Sequence, residues 1–247
     1  MTAPILEIRN LSVSFGGLRA VDDVSFQVTC NCITTVIGPN GAGKSTLFNL
    51  ISGALQPRNG EVLIEGVDYT GQPAYRMQAA GLARSFQITN LFFDLPVGEN
   101  LRLAAQILEP LSMAWRPVYA SRTAQGRVDE LLHRFALADK AQYLAGSLSH
   151  GEQRRLEIAV ALACKPKILL LDEPTQGMSH GETQETAALI KSLATDVTVL
   201  LIEHDIGLVM NLSDHIIVMH QGQKLAEGSP ADVRSNPAVQ AAYFGHG

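Results

Sequence analysis

From Ile5 to Val28 apolar and polar residues alternate, as at Leu6 and Ile8 and again at Val24, Phe26 and Val28, and the pair Gly16-Gly17 interrupts the run. A period of two broken by glycines predicts antiparallel strands with one buried face. Glu61-Val62-Leu63-Ile64-Glu65, ahead of Gly66, predicts another strand. Other runs have a different texture. Ile33-Thr34-Thr35-Val36-Ile37 leads into an amphipathic stretch and predicts a core strand followed by a helix. Ile168 to Leu171 and Val197 to Ile202 are apolar or β-branched throughout and flanked by helical stretches. Strands buried on both faces of a parallel sheet have that composition. From about Asn90 to Ala163, leucines and alanines recur at helical spacing (Val128, Leu131, Leu132, Phe135; Leu156, Ala159, Val160, Ala163), interrupted by Pro96, Pro110 and Pro117. This predicts a helical insertion, entered by a strand over Leu82 to Gln87. The tail predicts a hairpin over Ile216 to Met219, Gly222 and Lys224 to Glu227, then helices starting at Pro230 and Pro237.

The expected fold is therefore α/β: a mostly parallel sheet, an N-terminal antiparallel β part and a helical insertion. One domain spans 1–247, with a core of 1–87 and 164–247 and an insertion at 88–163. A chain of 247 residues with 46% hydrophobic content has the material for such a core. The net charge of −5 argues against a nucleic-acid partner, which usually requires a basic excess. Cys30, Cys32 and Cys164 lack metal-type spacing and are expected to be reduced thiols packed on strands and helices. No basic segment followed by an apolar run opens the chain, so no secretion signal is expected. No window approaches the ~18 uninterrupted apolar residues of a membrane span. A cytoplasmic protein is expected, reaching any membrane only through a partner.

Gly38-Pro39-Asn40-Gly41-Ala42-Gly43-Lys44-Ser45-Thr46 lies between the apolar run at Ile33 and the amphipathic run at Leu47. A strand that breaks into a glycine turn and then a helix aims backbone N–H groups and the positive helix end at one point. That arrangement suits a polyphosphate. The glycines permit close backbone approach, Lys44 supplies charge for the β- and γ-phosphates, and the Ser45 hydroxyl suits Mg²⁺.

Asp172 and Glu173 follow the apolar run at Ile168, at the expected exposed end of a buried strand. Asp172 is the candidate to hold Mg²⁺ through its water shell, and Glu173 to orient or deprotonate an attacking water. His204, after Val199-Leu200-Leu201-Ile202, occupies the matching strand tip, where an imidazole suits a γ-phosphate oxygen. Gln87 ends its strand at the insertion boundary, placed to contact Mg²⁺ or water and to relay nucleotide state. Phe15 offers a face for stacking adenine, or else core packing. Ser149, in Leu148-Ser149-His150-Gly151-Glu152-Gln153, precedes an amphipathic helix and reads either as a helix cap or as an anion site.

Together these residues resemble the ATP-binding cassette family, a P-loop NTPase fold, over nearly the whole chain and in the family's order. Gly38 to Thr46 looks like its Walker A loop, Gln87 its Q-loop, Leu148 to Gln153 its signature, Ile168 to Glu173 its Walker B strand, and His204 its switch histidine. The resemblance implies that two such subunits sandwich two ATP molecules, with Ser149 and Gly151 of one reaching the γ-phosphate held by the other. The signature departs from Leu-Ser-Gly-Gly-Gln at His150 and Glu152, and Ser179 stands where the family's D-loop usually has aspartate.

Within the family the chain looks most like ATPases of branched-chain amino-acid, urea and amide importers. The stretches that carry this are Phe15 to Val21, Ala83 to Gln87, Gln153 to Ala159, Ile202 to Asp205 and Ala242 to Gly245. The lipopolysaccharide-export ATPase shares some of them. The implied partners are integral membrane permease subunits, a second ATPase subunit and, indirectly, an external solute-binding protein. The implied location is the cytoplasmic face of the inner membrane. A cassette ATPase outside transport and a nucleotide-binding regulator remain the alternatives.

Overall fold

The computed structural model describes residues 3–85, 91–109 and 121–244. The first sheet has the order β2-β1-β4-β5. Its long hairpin, β1 (Leu6–Phe15) and β2 (Leu18–Val28), turns at Gly16-Gly17, and β4 (Asn59–Ile64) and β5 (Val67–Asp68) extend the other edge. Antiparallel register places Leu6 and Ile8 opposite Val28 and Phe26 on one side and Ile64 and Val62 on the other. The alternation in the sequence thus becomes one buried face. Glu65 falls just outside β4, in the left-handed conformation (φ 50°) that turns the chain toward Gly66.

The second sheet has the order β10-β9-β3-β8-β7-β6. Its members are β3 (Ile33–Ile37), β6 (Leu82–Ser85), β7 (Ile168–Asp172), β8 (Thr198–Ile202), β9 (His215–His220) and β10 (Gln223–Gly228). Five run parallel, and β10 turns back antiparallel against β9. Between the two sheets lies α1 (Lys44–Ile51), whose Leu47, Phe48, Leu50 and Ile51 pack with residues of both. Each such side chain withdrawn from water contributes about 1.5–3 kcal/mol.

On the opposite face of the parallel sheet, α3 (Val97–Ala105), α4 (Arg122–Arg134), α5 (His150–Leu162) and α6 (His180–Leu193) form a second core. A smaller third core gathers α7 (Ile206–Leu212), α8 (Pro230–Ser235) and α9 (Pro237–Phe244) around Ile37, Ile216 and Val218. A short helix, α2 (Ala74–Ala79), precedes β6.

The uninterrupted apolar runs divide strictly by parity. Ile168 and Leu170 of β7 join the α1 side, whereas Leu169 and Leu171 join the helical side; Leu200 and Ile202 of β8 part in the same way from Val199 and Leu201. Side chains of a strand alternate between faces, so the residue after Leu171 must point toward α1. That residue is Asp172. The cysteines depart partly from expectation: Cys30 is exposed in the turn after β2, and only Cys32 and Cys164 are half-buried.

Candidate active site

Parallel pairing brings β3, β8 and β7 to a common edge, with Asp172 beside Ile202 and Ile202 beside Val36. Glycine loop, acidic pair and Glu203-His204 therefore leave the sheet together. Two glycines of the loop are dictated by neighbours. A Cβ on Gly38 would lie 2.3 Å from the Met219 carbonyl oxygen, and one on Gly43 (φ +98°) 2.2 Å from that of Ala20. Gly41 (φ +80°) faces open space, while Pro39 accepts from the Ala42 N–H at 3.1 Å and Ala42 accepts from that of Gly222 at 3.1 Å. Asn40 and Ser45 are exposed and Thr46 is half-buried. Like α2 and α4, and unlike the capped α5, α6, α7 and α8, α1 begins without a side-chain cap and without an acidic residue in its first turn. Its first N–H groups and positive dipole end are left for an external anion.

Lys44 is buried and folds back over this loop, its Nζ donating to the carbonyl oxygens of Gly38 (2.7 Å) and Pro39 (3.1 Å). Burial lowers its pKa, and the carboxylates of Glu173 and Asp172 partly offset this. Neutral carbonyls are weak partners for an ammonium, and phosphate oxygens are stronger ones.

Asp172 is 2% exposed. Its Oδ2 accepts from Arg84 Nη2 at 3.1 Å, while the other arm of that guanidinium binds Asn49 Oδ1 and Ser52 Oγ near the end of α1. Removing either member of such a buried ion pair typically costs about 3–5 kcal/mol, because a charge is left uncompensated. Oδ1 of Asp172 is buried and has no hydrogen-bond partner. A lone carboxylate oxygen of this kind, with the Ser45 hydroxyl on the neighbouring element, fits a hard cation such as Mg²⁺ that prefers oxygen ligands.

Glu173 is half-buried, and His204 Nδ1 lies 4.0 Å from its Oε1. The His204 backbone N–H donates to the wholly buried Glu203 at 3.1 Å. Glu203 also accepts from the Thr175 N–H (3.2 Å) and hydroxyl (2.6 Å). Its carboxylate thus joins the two strand tips that carry Glu173 and His204.

Ser149 and Gly151 lie elsewhere. They line a shallow depression with Glu182 and Glu185 that includes no residue of the glycine loop. Ser149 caps α5 in a reciprocal box: its Oγ accepts from the Glu152 N–H, and Glu152 accepts from the Ser149 N–H at 3.0 Å. Glu152 also pairs with Lys140. His150 reaches the Gln176 carbonyl oxygen at 3.4 Å, and Ser179 caps α6 through Glu182 in a second box. A serine there does the capping that aspartate does equally well. Phe15 is 51% exposed at the tip of β1 rather than packed in the core. Gln87 lies outside the described residues. Arg84, Arg154 and Glu203 went unassigned in the sequence; the usable signal was a charged residue within or beside an otherwise apolar core strand, as at Arg84 and Glu203.

A family model described as "ABC transporter" matches residues 21–176, taking in the glycine loop, Ser149, Gly151, Asp172 and Glu173. The chain belongs to the ABC transporter family. A second model, "Branched-chain amino acid ATP-binding cassette transporter", matches residues 223–247 of this ABC protein. It is 41% identical to the high-affinity branched-chain amino acid transport ATP-binding protein BraF of Pseudomonas aeruginosa, covering 99% of each chain. To LivG of Escherichia coli, of the same description, it is 40% identical, again over 99% of each. It also resembles the crystal structure of the ADP conformation of an ATP-binding cassette, with a TM-score of 0.85 and 33% identity over 99% of this chain and 100% of that one. Membership of the family implies nucleotide binding and ATPase activity. No helix among the described residues is long and apolar enough to cross a membrane.

Proposed function

We propose that this ABC protein is the ATP-hydrolysing motor of a branched-chain amino-acid importer, working as one of a pair of ATPase subunits beneath membrane permeases. The observation that carries the hydrolytic reading is the convergence of Lys44, the orphaned Asp172 oxygen, Glu173 and His204 on one edge of the sheet. The triphosphate would settle on the uncapped start of α1, and Lys44 would exchange the loop carbonyls for β- and γ-phosphate oxygens. Phe15 would stack against the adenine. Ser45 and Asp172, with Gln87, would hold Mg²⁺, which neutralises phosphate charge. Glu173 would take a proton from the water that attacks the γ-phosphorus, as the bond to the leaving ADP breaks. His204 would donate a hydrogen bond to a γ-phosphate oxygen as charge builds. Ser149 and Gly151 of the paired subunit would complete the phosphate's surroundings.

Coupling to permeases is supported by a groove between β6, α2, α3 and α5, lined by Tyr75, Gln78, Leu82, Leu91, Ala104 and Val160. Tyr75 is 67% exposed on its rim, with Phe92 and Ile107 also exposed nearby in sequence to its lining. Apolar side chains left in water around a groove suit a short helix from a membrane partner. The match over residues 223–247 and the names of BraF and LivG support the class of solute, which an external binding protein would deliver. The protein would then sit peripherally on the cytoplasmic face.

Two measurements test this. Purified protein should release phosphate from ATP when Mg²⁺ is present, and no release with or without permeases overturns the hydrolytic reading. Reconstitution with its permeases should give ATP-driven uptake of leucine, isoleucine or valine. Stimulated turnover without uptake of any of the three would overturn the solute assignment alone.

A further inference from the structure

Glu173 has a φ of +47°, left-handed backbone that is strained for a non-glycine residue. Such a conformation persists only where its surroundings over-determine it. The Glu173 N–H donates to the Ile202 carbonyl at 3.0 Å, which fixes one side of the residue. The carbonyl groups on both flanks are held by a single side chain. Arg154 of α5 donates through Nη2 to the Asp172 carbonyl oxygen at 2.8 Å and through Nε to that of Pro174 at 3.2 Å. Its Nη1 is in turn oriented by Glu157 Oε2 at 2.7 Å, and both side chains are buried.

A guanidinium presents its donors in a rigid planar fork, so one arginine is able to bracket a residue by gripping the carbonyls before and after it. We infer that Arg154 is a positioning residue, which clamps the carbonyls of Asp172 and Pro174 and thereby sets the Glu173 carboxylate against its water. This rests on the reading of Glu173 as the base. The clamp comes from the helix that Ser149 and Gly151 head, so the element proposed to meet the partner's nucleotide also holds this chain's own base in place. Arg154 touches no substrate; it acts through the backbone of Glu173.

Arg154→Lys keeps the charge but loses the fork. The double variant Arg154→Met with Glu157→Leu removes both charges, so that no buried ion is left unpaired. For each, kcat and KM for ATP, binding of a fluorescent ATP analogue and the melting transition are measured. In both variants kcat should fall about 10- to 100-fold, the scale on which an ångström of misplacement acts. Nucleotide affinity and KM should stay within about twofold of the wild type, because the glycine loop and Lys44 are untouched. A kcat within about twofold of wild type in the folded double variant overturns the clamp. So does a loss of kcat matched by equal losses in nucleotide affinity or folded fraction, or a failure of both variants to fold, since Arg154 would then be a strut of the fold. Wild-type protein without turnover would instead refute the hydrolytic reading, leaving the two failures distinguishable.

Discussion

The helices α1 and α5 begin in opposite ways. At the start of α1 the chain supplies no cap, no acidic residue and a lysine parked on two carbonyls, while a neighbouring aspartate keeps one oxygen without a partner. At the start of α5 the chain supplies its own cap and its own carboxylate: Ser149 and Glu152 cap one another's backbone, and Glu152 pairs with Lys140. A helix end with unsatisfied donors attracts an anion unaided, whereas one already supplied with a carboxylate has its dipole largely answered. The first is therefore the end proposed to bind nucleotide in the isolated chain. On the proposed reading the second offers only the Ser149 hydroxyl hydrogen and the backbone N–H of Gly151 to a phosphate delivered by another subunit.

The largest test of this asymmetry is Glu173→Gln. Because the α1 end alone should hold ATP, the variant is expected to bind nucleotide and pair stably while turnover falls by about 10³-fold or more. Phosphate release and light scattering with ATP present check this, and normal turnover would remove Glu173 as the base. Lys44→Ala comes next. A charge-assisted contact contributes about 1.5–3 kcal/mol, so ATP affinity measured by calorimetry should drop by about 10- to 150-fold. Unchanged affinity would mean that the glycine loop is not where phosphate binds. The finest test sets Ser149→Ala against Ser179→Ala. Each removes a cap of about 1 kcal/mol, so both should lower the melting temperature by similar amounts. Only Ser149→Ala should also lower kcat, and equal effects on turnover would reduce Ser149 to a cap.

Much of this was legible before the structure, for a physical reason. Strand periodicity and glycine breaks are local, so the β1-β2 hairpin, the core strands β3, β7 and β8 and the tail hairpin were each predictable from their own residues. The candidate site residues were local signals too: Lys44 belonged to the glycine loop, and Asp172, Glu173 and His204 stood at or just beyond the ends of such strands. The polar contacts behind them did not. Arg84 reaches Asp172 across 88 positions and Glu203 reaches Thr175 across 28, pairings that only the sheet order creates. Arg154 read as one more residue of an amphipathic helix, since nothing in its neighbours reveals that a strand end passes beneath it. The division of the helical insertion into α3, α4 and α5 was equally hidden, although Pro96 marked where the first begins.

The strict parity of β7 has a consequence for quality control. Were the strand to dock one position out of step, Asp172 would be driven among the leucines of the helical layer, and Leu171 would face Arg84. The same slip would ruin the greasy interior and the ionic arrangement together. A molecule that looks well folded yet is mis-wired at its charges is thus nearly forbidden, and cellular proteases that sense exposed leucine would also be auditing the engine.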